Sequence, residues 1–240
     1  MTEIMESGAG DSIAQRVRLV LGNIRRAAER VGRNPDGIRL VAATKTVSAE
    51  RIQEGIAAGL TLLGENRMQE ALAKMACLAD APVRWHFIGQ LQRRKVRSII
   101  GLFDMIHSVD SVELAQEIDR RAGEAGMAQP ILLEVNMGGE STKAGFQPNE
   151  IERQIPVLGA LPHVRIQGLM TIPPLTPEPE QARSYFRGLR ELAGRIADQG
   201  VPSVTMQELS MGMSHDYEVA IEEGATLVRV GTAIFGARHV

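Results

Sequence analysis

The sequence predicts the α/β class, as a single (β/α)8 barrel with an extra helix ahead of the first strand. Three observations carry this expectation. Short apolar runs alternate with helix-periodic segments along the chain, and eight such runs can be counted. In strict alternation each helix is a crossover, so neighbouring strands run parallel. Eight units favour closure over an open sheet, and no Pro/Gly/Ser-rich linker divides the chain.

The elements follow in order. Residues 1–10 lack periodicity and are expected to form a loose tail, so the barrel domain is expected over 11–240. From Asp11 or Ser12, either of which can cap, Ile13, Val17, Val20, Leu21 and Ile24 recur at helix spacing. The Asn34-Pro35-Asp36-Gly37 run marks a turn, and Ile38 to Ala43 reads as a buried strand. Helices are expected over 48–59, 67–79, 91–101, 111–125, 148–160, 178–199 and 215–223. The strands between them fall at 61–64, 84–88, 105–108, 131–136, 164–170 and 203–206, and the last at 226–230. The helix after the last strand is very short, so the first helix is expected to fill its place.

Composition narrows the function classes. The chain has 240 residues, 44% hydrophobic and 23% charged, with a net charge of −2. That balance is globular and gives no basic excess for nucleic acid or anionic membrane. No apolar run approaches the roughly 20 residues that span a bilayer. The single cysteine, Cys77, forms no internal disulfide, and no secretory signal pattern opens the chain, so a cytoplasmic location is expected. Cys77 itself is expected to be inert packing within a helix. Five Phe, two Tyr and one Trp leave the core aliphatic, with the 11 methionines as filler.

Chemistry is sought where such barrels keep it, at the C-terminal ends of the strands. Lys45 ends the first strand on the side of Val41 and Ala43. Facing the axis, its amine would be desolvated and nucleophilic, suited to a Schiff base with an aldehyde; facing out, it would simply snorkel. Leu209 to Ser214, placed between the seventh strand and its helix, offers open amides and hydroxyls to an anion, or is an ordinary turn capped by Ser214. Gly231 and Thr232 follow the eighth strand and face the same space. Loops after strands seven and eight are the recurring phosphate site of this architecture. Arg229 lies inside the last strand and needs a partner, with Glu134 and Glu208 as candidates. An amine beside a phosphate cup suits a small phosphorylated aldehyde such as pyridoxal 5′-phosphate (PLP). The five histidines show no metal-ligand spacing, and His86 is expected to be a hydrogen-bonded core residue. Arg93, Arg94, Lys95 and Arg97 read as a solvated helix face.

Several motifs together resemble the pyridoxal phosphate homeostasis protein family, the YggS/PROSC type with an alanine racemase-like barrel. They are Val41-Ala42-Ala43-Thr44-Lys45-Thr46, Gly64-Glu65-Asn66-Arg67, Trp85-His86-Phe87-Ile88-Gly89, Gly168-Leu169-Met170-Thr171, Leu209 to Ser214 and Val228 to Gly236. The resemblance runs from about Ile13 to Arg238. It implies a TIM-type barrel like the alanine racemase N-terminal domain, with PLP held on Lys45 as an internal aldimine. Ser210, Gly231 and Thr232 match its phosphate positions, Asn66 a polar residue beside the cofactor, and Arg229 the arginine facing the pyridine nitrogen. A cation there disfavours ring protonation and makes the ring a poor electron sink. The resemblance therefore implies binding, buffering and handover of PLP in vitamin B6 homeostasis, without established turnover. PLP-accepting apo-enzymes are the partners it suggests, and a monomer is expected. The alternatives are a PLP-dependent amino-acid racemase, which needs a second acid/base group, and a sugar-phosphate barrel enzyme. Departures are few: Arg94 stands where the family has Asn, and Thr142 and Ala144 where Ser is common.

Overall fold

A computed structural model of the chain describes residues 12–140 and 142–237. The expected tail at 1–10 lies outside the described residues. Eight parallel strands, β1 to β8, close into a barrel in sequence order, β8 pairing with β1. They are Arg39–Ala43, Leu62–Glu65, Arg84–Phe87, Met105–Val109, Gln129–Glu134, Val164–Met170, Val204–Met213 and Leu227–Val230. The helices are α1 Ile13–Arg30, α2 Ala49–Ala57, α3 Met68–Cys77, α4 Val112–Glu124, α5 Pro148–Gly159, α6 Arg183–Ala197, α7 Tyr217–Glu222 and α8 Thr232–Phe235.

Strand alternation sorts the apolar residues into two shells. Val41, Leu62, Met105, Leu132, Met170 and Leu227 pack together inside the barrel. Their strand neighbours, such as Ala42, Leu63, Ile106, Ile131, Leu133, Leu169 and Val228, face the helices. Ser12 starts α1 with a capping box, its hydroxyl accepting from the Gln15 amide while Gln15 Oε1 accepts from the Ser12 amide. Ile13, Val17, Val20 and Ile24 are buried, whereas Leu21 is exposed. The α1 helix packs on α2, α7 and α8 and does fill the place that the four-residue α8 cannot. Arg33 secures this seam by donating to the carbonyls of Ile221 and Ala225.

Three expectations need correction. Residues 93–98 form a 3-10 turn and not a helix over 91–101; Val96 is its only buried residue, too little apolar contact to hold a longer helix. The second concerns β7, which does not stop at Met206 but runs on to Met213. Gly212 has φ 89° and sits in a one-residue bulge, because Ser210 pairs with Leu227 but Met213 with Arg229. Cys77, the last residue of α3, is exposed and is not core packing. No helix among the described residues is long and apolar enough to cross a membrane.

At the β6–β7 seam the backbones approach so closely that a Cβ on Gly168 would lie 1.8 Å from the Glu208 carbonyl oxygen. Gly168→Ala is expected to cost about 3 kcal/mol or more in urea unfolding. Gly194, inside α6 with open space around it, is the control: Gly194→Ala should stabilise by about 1 kcal/mol.

Candidate functional site

The residues singled out by sequence come from four consecutive staves of the wall, β7, β8, β1 and β2. Lys45 follows β1, Asn66 follows β2, and Gly231 and Thr232 follow β8. The β1 and β8 ends touch: a Cβ on Gly231 would stand 3.2 Å from the Ala43 oxygen, two residues before Lys45. Only glycine leaves its backbone open at this junction. Lys45 is half-buried, and Thr46 beyond it takes a left-handed conformation with φ 64°, alone among the described non-glycine residues. For a β-branched residue that conformation is strained.

The hydroxyl found at this turn is that of Ser214. Its Oγ accepts from the amides of Gly231 at 3.2 Å and Ala233 at 3.3 Å. Asp216 fixes the approach by accepting from the Met213 amide at 2.7 Å. Thr232 is exposed between them. Ser210 is instead fully buried within β7, facing the barrel interior. The bulge at Gly212 separates the two serines, sending one into the barrel and the other over its rim.

Ser210 belongs to a polar chain in the barrel interior. Arg229 donates to its carbonyl at 2.8 Å and to its hydroxyl, and to the Thr171 carbonyl at 2.9 Å. Glu134 and Glu208 are therefore not its hydrogen-bond partners; Glu208 pairs with Arg39. Burial pulls Arg229 down to about 10, with Glu134 and Asp216 opposing, so it remains a cation at neutral pH. Ser210 Oγ also lies 2.9 Å from His107 Nδ1, and His107 Nε2 lies 2.8 Å from His86 Nδ1. Arg229 can only donate, so Ser210 Oγ accepts from it, and the direction of the bonds along Ser210, His107 and His86 follows the tautomer of His107. Both imidazoles are neutral. Burial pushes His86 down to about 3, and burial with the nearby His86 and Arg229 pushes His107 well below its ordinary value. Burial and Asp110 push Glu134 up to about 7, against the pull of Arg229. His86 is thus the hydrogen-bonded core histidine its sequence context suggested. The partnership with His107 left no sequence signal, because the two lie 21 residues apart on different strands.

Asn66 stands where β2 and β3 converge. A Cβ on Gly89 would fall 2.4 Å from the Asn66 oxygen, so glycine there lets the two turns meet. Asn66 Oδ1 is buried without a hydrogen-bond partner among the described residues. An orphaned acceptor beside Lys45's strand, a hydroxyl held over the Gly231 turn and a buried cation fit a small phosphorylated aromatic aldehyde.

Comparison with known proteins agrees. The alanine racemase N-terminal domain family matches residues 20–239. A pyridoxal phosphate homeostasis protein of Aquifex aeolicus is 48% identical over 93% of this chain and 97% of its own. The chain belongs to the pyridoxal phosphate homeostasis protein family. Among solved structures, a protein from Bifidobacterium adolescentis has TM-score 0.88 and 39% identity, covering 98% of both chains. PipY of Synechococcus elongatus PCC7942, solved with PLP bound, has TM-score 0.78 and 40% identity, covering 89% of this chain and all of its own.

The neutral histidine pair makes apo-protein stability depend on pH. Unfolded histidines take up protons below about 6.5 and these two do not, so each lowers stability as pH falls from there, by about 1.4 kcal/mol per unit. Glu134, protonated more readily in the fold, opposes this between about 4.5 and 7 with the same slope for one group. Two against one leaves a net loss between pH 6.5 and 4.5. In urea titrations at several pH values, His107→Gln should be less stable at pH 7 but show a pH slope flatter by about 1.4 kcal/mol per unit.

Proposed function

We propose that this chain holds pyridoxal 5′-phosphate at the C-terminal mouth of the barrel and serves vitamin B6 homeostasis as a carrier without catalytic turnover. Lys45 is the covalent attachment point. Ser214, Gly231 and Thr232 surround the phosphate, Asn66 lies beside the ring and Arg229 faces the pyridine nitrogen. When bound, the cofactor supplies an aldehyde that condenses with a primary amine. The observation that carries the reading is the contact of the Gly231 turn with the β1 end, which sets an anion cradle next to the one lysine that closes an inner-face strand.

The chain's own residues account for the rest. The amides of Gly231 and Ala233 hold Ser214 Oγ as acceptor, which leaves the Ser214 hydroxyl proton to donate to an anion. Ser210 and Thr171 pin the Arg229 guanidinium in one orientation as a permanent charge. A cation at the ring nitrogen keeps a proton off it and so withholds the electron sink that carbanion chemistry requires. A racemase also needs an opposing acid/base group. Both tyrosines of the chain lie on outer helices, Tyr185 on α6 and Tyr217 on α7, where the Tyr217 hydroxyl accepts from Asn23 at 2.9 Å. We extend the proposal to a cytoplasmic monomer that passes the cofactor to apo-enzymes.

Borohydride reduction of the PLP-loaded protein, followed by peptide mapping, should place the label on Lys45. Normal uptake by Lys45→Ala at another lysine would overturn the proposal, as would α-proton exchange of amino acids in D2O above that of free PLP. The two serines are expected to separate. Ser214→Ala should weaken PLP binding roughly tenfold with little change in stability. Ser210→Ala should lower the unfolding midpoint, because it strips partners from Arg229 and His107.

A further inference from the structure

Glu65, Glu70 and Lys74 have no part in the site as described, yet they converge on the chain either side of Lys45. Thr44 and Glu65 point out of the barrel toward α3, and both are fully buried. Lys74, on α3, is buried with them. Its Nζ lies 2.5 Å from Glu65 Oε1 and 2.7 Å from the carbonyl oxygen of Thr44. The Thr44 hydroxyl donates to the same Glu65 oxygen at 2.6 Å, and the Thr44 amide donates to the Gly64 carbonyl at 3.0 Å. One turn before Lys74, Glu70 Oε2 accepts from the Thr46 amide at 3.1 Å and lies 3.7 Å from Lys74 Nζ.

The peptide before Lys45 is therefore gripped by Lys74 and Glu65, and the peptide after it by Glu70. This arrangement is poorly explained by stability alone. A buried ion pair returns little over apolar packing, and Glu65 Oε2 remains buried with no hydrogen-bond partner among the described residues. The pair does offer direction. Thr46 sits in a left-handed conformation that a β-branched residue avoids unless its surroundings impose it, and the Glu70 bond to its amide is such an imposition. Backbone torsions at 44–46 decide where the Lys45 side chain leaves the wall.

We propose that Glu65, Glu70 and Lys74 form a clamp on the outside of the barrel that fixes the direction of the Lys45 amine, making all three positioning residues for the cofactor attachment. The inference rests on the reading of Lys45 as the PLP-bearing residue. Lys74→Met would leave Glu65 charged, buried and uncompensated, and so threatens folding; Glu70, half-exposed, is the cleaner probe. Three readouts are compared on the full chain: PLP release rate, amide hydrogen exchange at Thr46, and the unfolding midpoint. Glu70→Ala should release PLP roughly tenfold faster and lose protection at the Thr46 amide, with the midpoint little changed. Glu70→Gln keeps an acceptor oxygen and should restore both. Lost protection with an unchanged release rate would overturn the clamp, as would unaltered protection in Glu70→Ala or no rescue by Gln. Failure of the underlying reading shows separately, as unsubstituted protein that carries no borohydride label at Lys45.

Discussion

A guanidinium sealed inside an aliphatic barrel must be given oxygen acceptors by the wall itself. Arg229 is 5% exposed, and its acceptors come from two neighbouring staves: the carbonyl and hydroxyl of Ser210 on β7 and the carbonyl of Thr171 just past β6. That demand shapes the site. It draws the Ser210 hydroxyl inward, beside a histidine pair that burial keeps neutral. The interior then presents the Arg229 cation, opposed by Glu134, which burial pushes up to about 7. The extra residue at Gly212 resolves the conflict between feeding Arg229 and covering the Gly231 turn, which no regular strand could do at once.

Family membership and this geometry support each other at different levels. Likeness to the alanine racemase N-terminal domain accounts for the barrel. On the proposed reading, the interior would hold a reactive aldehyde quietly because Lys45, the Gly231 turn and Arg229 lie on adjacent staves, while the hydroxyl-bearing aromatics are on the outside.

Much of the architecture was legible because alternation is a one-dimensional pattern. Each buried parallel strand leaves an apolar run, and each crossover leaves a helical period. Failures came where one residue type serves two geometries. Gly212, among small residues, reads as a turn; only the pairing of Met213 with Arg229 shows that the strand continues past it. The bulge leaves Ser210 facing the barrel interior and brings Ser214 to the Gly231 turn. The basic run at 93–97 suggested a helix face but lacks the apolar stripe to support one. Lys45, Gly231 and Thr232 could be placed at strand ends and Arg229 inside the last strand from the alternation, whereas Asn66 came only with the family resemblance. Their partners could not: backbone carbonyls leave no mark in a sequence, and the grip of Glu65, Glu70 and Lys74 on Thr44 and Thr46 follows no repeating interval.

The seating of α1 against α7 and α8 has a consequence for biosynthesis. The helix made first completes the wall beside the elements made last, with Asn23–Tyr217 and Arg33–Ala225 contacts spanning more than 190 residues. On the ribosome its apolar stripe has no docking place until the final βα unit emerges. At translation speeds of roughly 5–20 residues per second, that wait lasts on the order of 10–40 seconds. During it, the amphipathic α1 is the surface on which a nascent-chain chaperone would act.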